Sequence, residues 1–241
     1  MNQKVSIIIP AYDHPDLLNL CLNSIFENTN YKNFEILVSA NRCEGSSNIN
    51  NSDINNRISN ICNNFFEKFP KNFKFILNAI NLKFGPGVMA IFPFASGEFI
   101  CTFNDDTIIP QNSRDWLDKL INVFSSNKNI ASVTPCLLHK NRTIYWIGKQ
   151  NPLNKFHDYL HYEEFDARLP KRMITSCYNN MACCLIPRYL VEEFSIGRRN
   201  PHYGSDSDFC SDVLQKYKDM KHVVLPEVKI FHYNIYNERI K

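Results

Sequence analysis

The chain has 241 residues, 44% hydrophobic and 13% aromatic, enough to bury a core for one large α/β domain. Charged residues make up 21% and the net charge is +3, which excludes a disordered chain and argues against a nucleic-acid binder with a concentrated basic stripe. Lys and Arg are scattered; the densest cluster, Arg198-Arg199, reads as a solvated turn in preference to a phosphate contact. The nine cysteines include no CxxC pair, so a zinc site lacks support. Cys21, Cys101, Cys183 and Cys184 lie in apolar runs and read as buried thiols, which suits a reducing cytosol. The N-terminal apolar stretch is stopped by Pro10, and no run reaches the roughly 18 apolar residues of a membrane span. A cytoplasmic protein without a transmembrane segment is expected, with peripheral membrane association left open.

Val5–Ile9 is a β-branched run that reads as a buried strand. Asp13-His14-Pro15-Asp16 offers helix-capping chemistry, and Leu18, Cys21, Leu22, Ile25 and Phe26 follow at helical spacing. Phe34–Val38 is a second strand, which completes a βαβ unit and implies parallel pairing. A loop from Gly45 leads to a helix carrying Ile54, Ile58, Ile61, Cys62 and Phe65, then a strand over Phe73–Leu77. Val88–Ala95 reads as a helix and Glu98–Phe103 as a fourth strand, which runs into Asn104-Asp105-Asp106. A helix over Trp116–Phe124 precedes a hairpin of Ala131–Leu138 and Thr143–Ile147. Asn151–Lys171 reads as a long loop or lid whose Phe156, Tyr159, Tyr162 and Phe165 either stack on a ligand or tie the loop to the core. A strand over Met181–Ile186, helices over Arg188–Phe194 and Phe209–Tyr217, and short strands over Val223–Leu225 and Val228–Phe231 close the chain. No repeat or linker interrupts it, so a single domain over 1–241 is expected.

Asn104-Asp105-Asp106-Thr107 stands where a buried strand ends, the place where open parallel sheets bind ligands. Adjacent carboxylates repel unless water or a cation screens them, and Mn²⁺ or Mg²⁺ prefers such oxygen ligands. An acidic turn capping the next helix explains the fragment equally well. Gly204-Ser205-Asp206-Ser207-Asp208 precedes a predicted helix. Capping is the better reading of it in isolation, with a general base as the alternative. His232 after a strand is more often a packed side chain than a ligand, and gains interest only beside Asp106.

Taken in order, these segments resemble family 2 glycosyltransferases with the GT-A fold. Val5–Tyr12 is similar to the family's opening strand, Leu17–Ser24 to its first helix and Phe34–Val38 to its second strand. Gly97-Glu98-Phe99-Ile100 before Asn104-Asp105-Asp106 resembles the strand leading into the DxD-type motif. Thr143-Ile144 with Gly148 resembles a hairpin of the rhamnosyltransferase-like branch. Tyr203–Cys210 is similar to "YGEDVDLC", and Pro226-Glu227 with His232 to the closing strand and histidine. The resemblance is collinear from residue 5 to about 233.

The resemblance implies one mostly parallel, Rossmann-like sheet flanked by helices, with a small antiparallel element in its second half. A donor-binding half would span 1–107 and an acceptor-side half 108–241. Asp106 and His232 would hold Mn²⁺ or Mg²⁺, and Asp206 would be the base of an inverting transfer. Pro10, Ala11, Tyr12, Asn41, Asn104 and Asp105 would bind a UDP-, TDP- or GDP-sugar, and Asp208 would support the acceptor side or cap its helix. The acceptor would be a glycan, a lipid-linked molecule or a protein. Two departures stand out: Ala40 takes the place of the family's base-binding Asp, and Ser205 that of the Glu before the catalytic Asp. They support the alternative of a catalytically inactive nucleotide- or protein-binding module. Pro10–Leu18 holds neither Gly nor Lys/Arg, which weighs against a nucleotidyltransferase or a Rossmann dehydrogenase.

Overall fold

The computed structural model describes residues 3–44, 51–149, 162–202 and 204–233. Ten strands join in one sheet. The first half of the chain supplies β1 (Val5–Ala11), β2 (Phe34–Ala40), β3 (Phe73–Leu77), β4 (Phe99–Phe103) and the two-residue β5 (Thr107–Ile108). The second half supplies β6 (Ile130–Leu138), β7 (Ile144–Trp146), β8 (Ile174–Ser176), β9 (Cys183–Pro187) and β10 (Lys221–His232). The order is β3-β2-β1-β4-β9-β6-β10-β5, with β7 beside β6 and β8 beside β10. β1 pairs in parallel with both β2 and β4, and β2 with β3, while β9 runs antiparallel between β4 and β6. This is the mostly parallel sheet with antiparallel additions that the sequence implied. The chain reverses its direction of strand addition at β1, so a crevice opens between the carboxyl ends of β1 and β4.

Helices cover both faces, which is why β1, β2 and β4 are buried along their whole length. Ile7, Ile9, Val38 and Cys101 pack with α1 (Pro15–Glu27), α2 (Asn51–Lys68) and α4 (Trp116–Ser126). Their strand neighbours Ile8, Leu37 and Ile100 point the other way, onto α3 (Phe84–Ile91), α5 (Arg188–Phe194) and α6 (Ser205–Lys216). Every cysteine is a free thiol and all but Cys177 are buried.

Several boundaries differ from expectation. α1 starts with Pro15 at its first turn and is capped by the His14 carbonyl, which accepts from Leu17 and Leu18, with no capping bond from the His14 side chain. α3 begins four residues before Val88. There Gly85 lies against Gly197, whose φ is +78°; a Cβ on Gly85 would fall 2.4 Å from the Gly197 Cα. That backbone contact, with Gly85 N–H donating to the Pro201 carbonyl (3.0 Å), clamps α3 to the loop before α6. β10 is one strand, with a register shift between Leu225 and Lys229 where two short strands were expected. Within the expected lid, 151–161, with Phe156 and Tyr159, lie outside the described residues. Of the rest, Tyr162 packs under the Arg168 guanidinium (4.1 Å), and Phe165 is exposed beneath the Lys229 ammonium (4.2 Å).

The amino ends of β1, β2 and β3 are joined by a buried carboxylate. Glu35 is 1% exposed; it accepts from the Ser6 hydroxyl (2.8 Å), from Ser96 N–H and O–H, and from the Lys74 ammonium (3.0 Å), with Lys4 at 3.3 Å. Burial opposes its ionisation, but Lys74, Ser6 and Ser96 outweigh that and bring its pKa down to about 2. A fall from 4.5 to about 2 corresponds to about 3 kcal/mol of stability. Because the folded value lies below the unfolded one, that stability is present above pH 4.5 and is lost as pH falls toward 2. Glu35→Gln is expected to lower the melting temperature at pH 7 by about 6–12 °C and to flatten the acid limb between pH 4.5 and 2. Calorimetry across that range checks both effects, and a variant as acid-sensitive as wild type rules this network out as the cause.

Candidate active site

β4 carries the chain into the crevice and ends in a turn closed by Thr107 N–H donating to the Asn104 carbonyl (3.2 Å). The turn is held from three sides. Asn104 N–H donates to the Ala182 carbonyl (2.9 Å), the Cys21 thiol to the Asn104 carbonyl (3.5 Å), and Tyr233 N–H to the Asp106 carbonyl (3.0 Å). The two carboxylates then diverge. Oδ2 of Asp105 accepts the backbone N–H of Tyr12 (3.0 Å), tying the end of β1 to the end of β4. Asp106 is 3% exposed and turns to the last residue of β10, with its Oδ1 at 3.1 Å from Nε2 of His232. That nitrogen is also 3.2 Å from Nδ2 of Asn104. Oδ1 of Asp106 is buried and makes no hydrogen bond.

α6 brings the third carboxylate. It starts at Ser205, four residues earlier than expected, so Asp206 and Asp208 occupy its first turn rather than a preceding loop. Gly204, in the left-handed region, supplies the cap, and no side chain does. Negative charge at this end of a helix is favoured by its dipole. Asp206 opens into the same cleft as Asn104, Asp105, Asp106 and His232, a hollow of about 280 Å³. Asp208 is turned away to Arg199 (3.5 Å) and the Asn200 amide.

A comparison with family models matches residues 6–194, more than half of the chain, to glycosyl transferase family 2. The chain belongs to that family. No curated protein sequence matches it significantly. Three solved structures illustrate the likeness in fold. A mannosyltransferase from Pyrobaculum calidifontis, in complex with GDP-Man and Mn²⁺, has a TM-score of 0.64 at 14% identity. GalNAc-T7 with UDP, GalNAc and Mn²⁺ has 0.68 at 13%, and TarS residues 1–349 from S. aureus have 0.61 at 16%. Each covers 95% of this chain, whereas the chain spans 56%, 44% and 60% of theirs. The fold is GT-A.

Within this GT-A frame the other expected donor residues are set apart from the cleft. Pro10 and Ala11 are buried in β1, in register with Ser39 and Ala40 of β2. Asn41 is 4% exposed, and its Oδ1 accepts from Asn78 Nδ2 (3.1 Å) and Leu82 N–H (3.2 Å), so it staples β2 to the loop before α3. Tyr203 lies outside the described residues. Arg198 and Arg199 pair with Asp212 at 3.3 and 2.9 Å, which accounts for that basic cluster. A larger hollow of about 480 Å³ lies on the other side of β10, lined by Phe231 with Pro226 and Glu227, and receives none of the expected site residues. The cleft also contains residues that sequence reasoning passed over: Phe84, Tyr145, Asn180 and His202. For Tyr145 the available signal was alternation. It stands between the buried Ile144 and Trp146 on a short strand, so it must point to the other face.

The cleft suits a hard divalent cation. Asp106 Oδ1 has no hydrogen bond to lose, and His232 Nε2 faces it. Two adjacent ligands of an octahedral cation, each about 2.1 Å from it, stand about 3 Å apart, close to the 3.1 Å seen here. Among the described residues no group of three His, Cys, Asp or Glu side chains could hold a metal. A cation held by Asp106 and His232 would need water or substrate phosphate for its remaining positions, the usual arrangement for Mg²⁺.

Burial and the neighbouring Asp106 charge push the Asp105 carboxyl up to about 8. For Asp106, burial opposes ionisation but the charge and proximity of His232 prevail and its pKa falls. Burial raises Asp206, and the Asp208 charge adds to it. Asp105's folded value lies above its unfolded 3.8, so its contribution to stability is intact below about pH 4 and is lost as pH rises toward 8. Asp105→Asn keeps an oxygen for the Tyr12 N–H and removes the like charge. Without metal, it is expected to melt several degrees above wild type at pH 8, with the gap closing by pH 4. Equal melting temperatures at pH 8 in a fluorescence melt would contradict a strained carboxylate pair.

Proposed function

We propose that this chain is a metal-dependent, inverting glycosyltransferase that moves a sugar from a nucleotide-sugar to an acceptor hydroxyl, with Mn²⁺ or Mg²⁺ as its cation. One observation carries the reading: the unbonded Oδ1 of Asp106, Nε2 of His232 and the carboxylate of Asp206 meet in a single cleft at the carboxyl ends of β1 and β4. The complexes of the structural neighbours with GDP-Man or UDP and Mn²⁺ support a UDP-, TDP- or GDP-sugar donor. The β6–β7 hairpin, which ends at Gly148, supports the rhamnosyltransferase-like branch. Residues 1–241 act as one unit, the half up to Thr107 holding the donor and the remainder facing a glycan, lipid-linked or protein acceptor.

Asp106 and His232 would hold the cation, whose charge would offset that of the departing diphosphate. Asp105 fixes the end of β1 through the Tyr12 N–H, and Pro10 and Ala11, buried in the strand, act on the nucleotide side by placing Tyr12. Asn104 Nδ2 stands 3.2 Å from Nε2 of His232 and marks the side from which the cation site is flanked. Asp206 takes the proton of the acceptor hydroxyl while that oxygen bonds to the anomeric carbon and the bond to the diphosphate breaks. Attack opposite the leaving group inverts the centre. Burial makes ionised Asp206 a stronger base than a solvated carboxylate. Asp208 holds the Arg199-Asn200 loop on the acceptor side.

A second reading, a nucleotide-binding module without turnover, draws on Ala40, which offers no polar group to a base, and on Asn41, whose oxygen is already committed. Two measurements decide. Thermal unfolding with UDP, TDP and GDP, each at 100-fold over its dissociation constant, should give about 2.7 kcal/mol for one nucleotide only when Mn²⁺ is present. That is about 5–11 °C, and Asp106→Ala should abolish it. Asp206→Asn should retain this shift while its kcat for donor consumption falls roughly 10²–10⁴-fold. Binding without turnover in wild type favours the module; no nucleotide effect with metal sinks both readings.

A further inference from the structure

Histidines that bind metals usually donate their second ring N–H to a carboxylate, carbonyl or water, which fixes ring orientation and tautomer. His232 lacks that support. Its Nδ1 is buried and has no hydrogen-bond partner, while Nε2 faces Asn104 and Asp106. The ring itself has an aromatic contact. Tyr145 of β7 meets the His232 ring edge to face, with centroids 4.7 Å apart and planes at 64°. Tyr145 is held in turn by His139, at 5.2 Å and 78°. The three rings form a ladder from the end of β6 through β7 to the end of β10. The β6–β7 hairpin fixes its middle rung, because Ile144 and Trp146 on either side of Tyr145 are buried at 0% and 4% exposure.

We propose, resting on the metal-dependent reading above, that Tyr145 is a positioning residue for the cation site: its ring, not its hydroxyl, aims Nε2 of His232 at the space beside Asp106. An N–H with no oxygen or nitrogen acceptor can still rest against a π-face, a weaker bond than a carboxylate would give. Edge-to-face packing restricts ring rotation as well. Without the Tyr145 ring, only the Nε2 contacts to Asp106 and Asn104 would set the angle of the imidazole, since Nδ1 has no bond to hold it.

The test is Mn²⁺ binding to the whole chain, read by loss of the free-ion EPR signal, with the metal-free melting temperature measured for each variant. Asp106→Ala marks the site. Tyr145→Phe keeps the ring and is expected to bind Mn²⁺ like wild type. Tyr145→Leu, or Tyr145→Met should the leucine variant fail to fold, is expected to bind 10–100-fold more weakly. A folded Leu or Met variant with wild-type affinity overturns the proposal, and so does a Phe variant as weak as Leu, which would assign the effect to the hydroxyl. A wild type that binds Mn²⁺ no better than Asp106→Ala instead overturns the metal-dependent reading beneath it.

Discussion

Two adjacent carboxylates at the buried end of β4 cannot both be satisfied by the protein, and much of the molecule is arranged around that constraint. Asp105 is resolved internally through the Tyr12 N–H. This bond crosses the point where the sheet changes its direction of growth, so it also fixes the mouth of the crevice. Asp106 is left with a buried, unbonded oxygen. A buried carboxylate oxygen without a partner is expensive. What surrounds it is a histidine nitrogen, an amide and a hollow, a set that becomes favourable when a cation enters. The instability is local, and it is tolerated because the rest of the sheet is covered on both faces.

Stability and chemistry are placed at opposite ends of the same strands. At the amino ends, Glu35 gathers Lys4, Lys74, Ser6 and Ser96 into a network in which each charge has an opposite neighbour. At the carboxyl ends, like charges are brought together and only partly paired. Between the two ends, β1 and β2 keep a seven-residue parallel register without a break.

Long, strongly patterned elements were legible from sequence. β3 and α5 have the expected bounds, and β1 and β2 extend the expected runs by two residues each. Asn104, Asp105, Asp106, Asp206 and His232, singled out from sequence, line one cleft. What escaped depends on partners far away in the chain. The first turn of α6 looks like a loop because Ser and Asp compete for local backbone bonds, and only packing on α3 and α5 makes it helix. β8 is three residues in a polar stretch and exists because β10 pairs with it. Asn41 was expected at the base but is consumed by Asn78 and Leu82, a fate invisible without the loop's path. Tyr145 reaches His232 across 87 positions of sequence, beyond any local pattern.

The position of Asp206 rests on a buried network that has no part in the chemistry. His222, at 0% exposure, bridges β10 to β6 and to α6: Nδ1 is 2.7 Å from Ser132 Oγ and Nε2 is 3.1 Å from the Cys210 carbonyl. A carbonyl only accepts, so Nε2 carries the proton and Nδ1 accepts the Ser132 hydroxyl. Asn179 completes the set by donating to Ser132 and to the Val223 carbonyl. Burial pushes the His222 pKa down to about 4, with the Cys210 carbonyl opposing only in part. Its folded value lies below the unfolded 6.5, so the stability it brings is full above pH 6.5 and is lost as pH falls toward 4. Down to about pH 4 the ring stays neutral and the tie to α6 keeps one hydrogen-bonding pattern. The anchor of the helix that carries Asp206 therefore does not change charge at neutral pH. An activity limb near neutrality would not report a shift of that anchor.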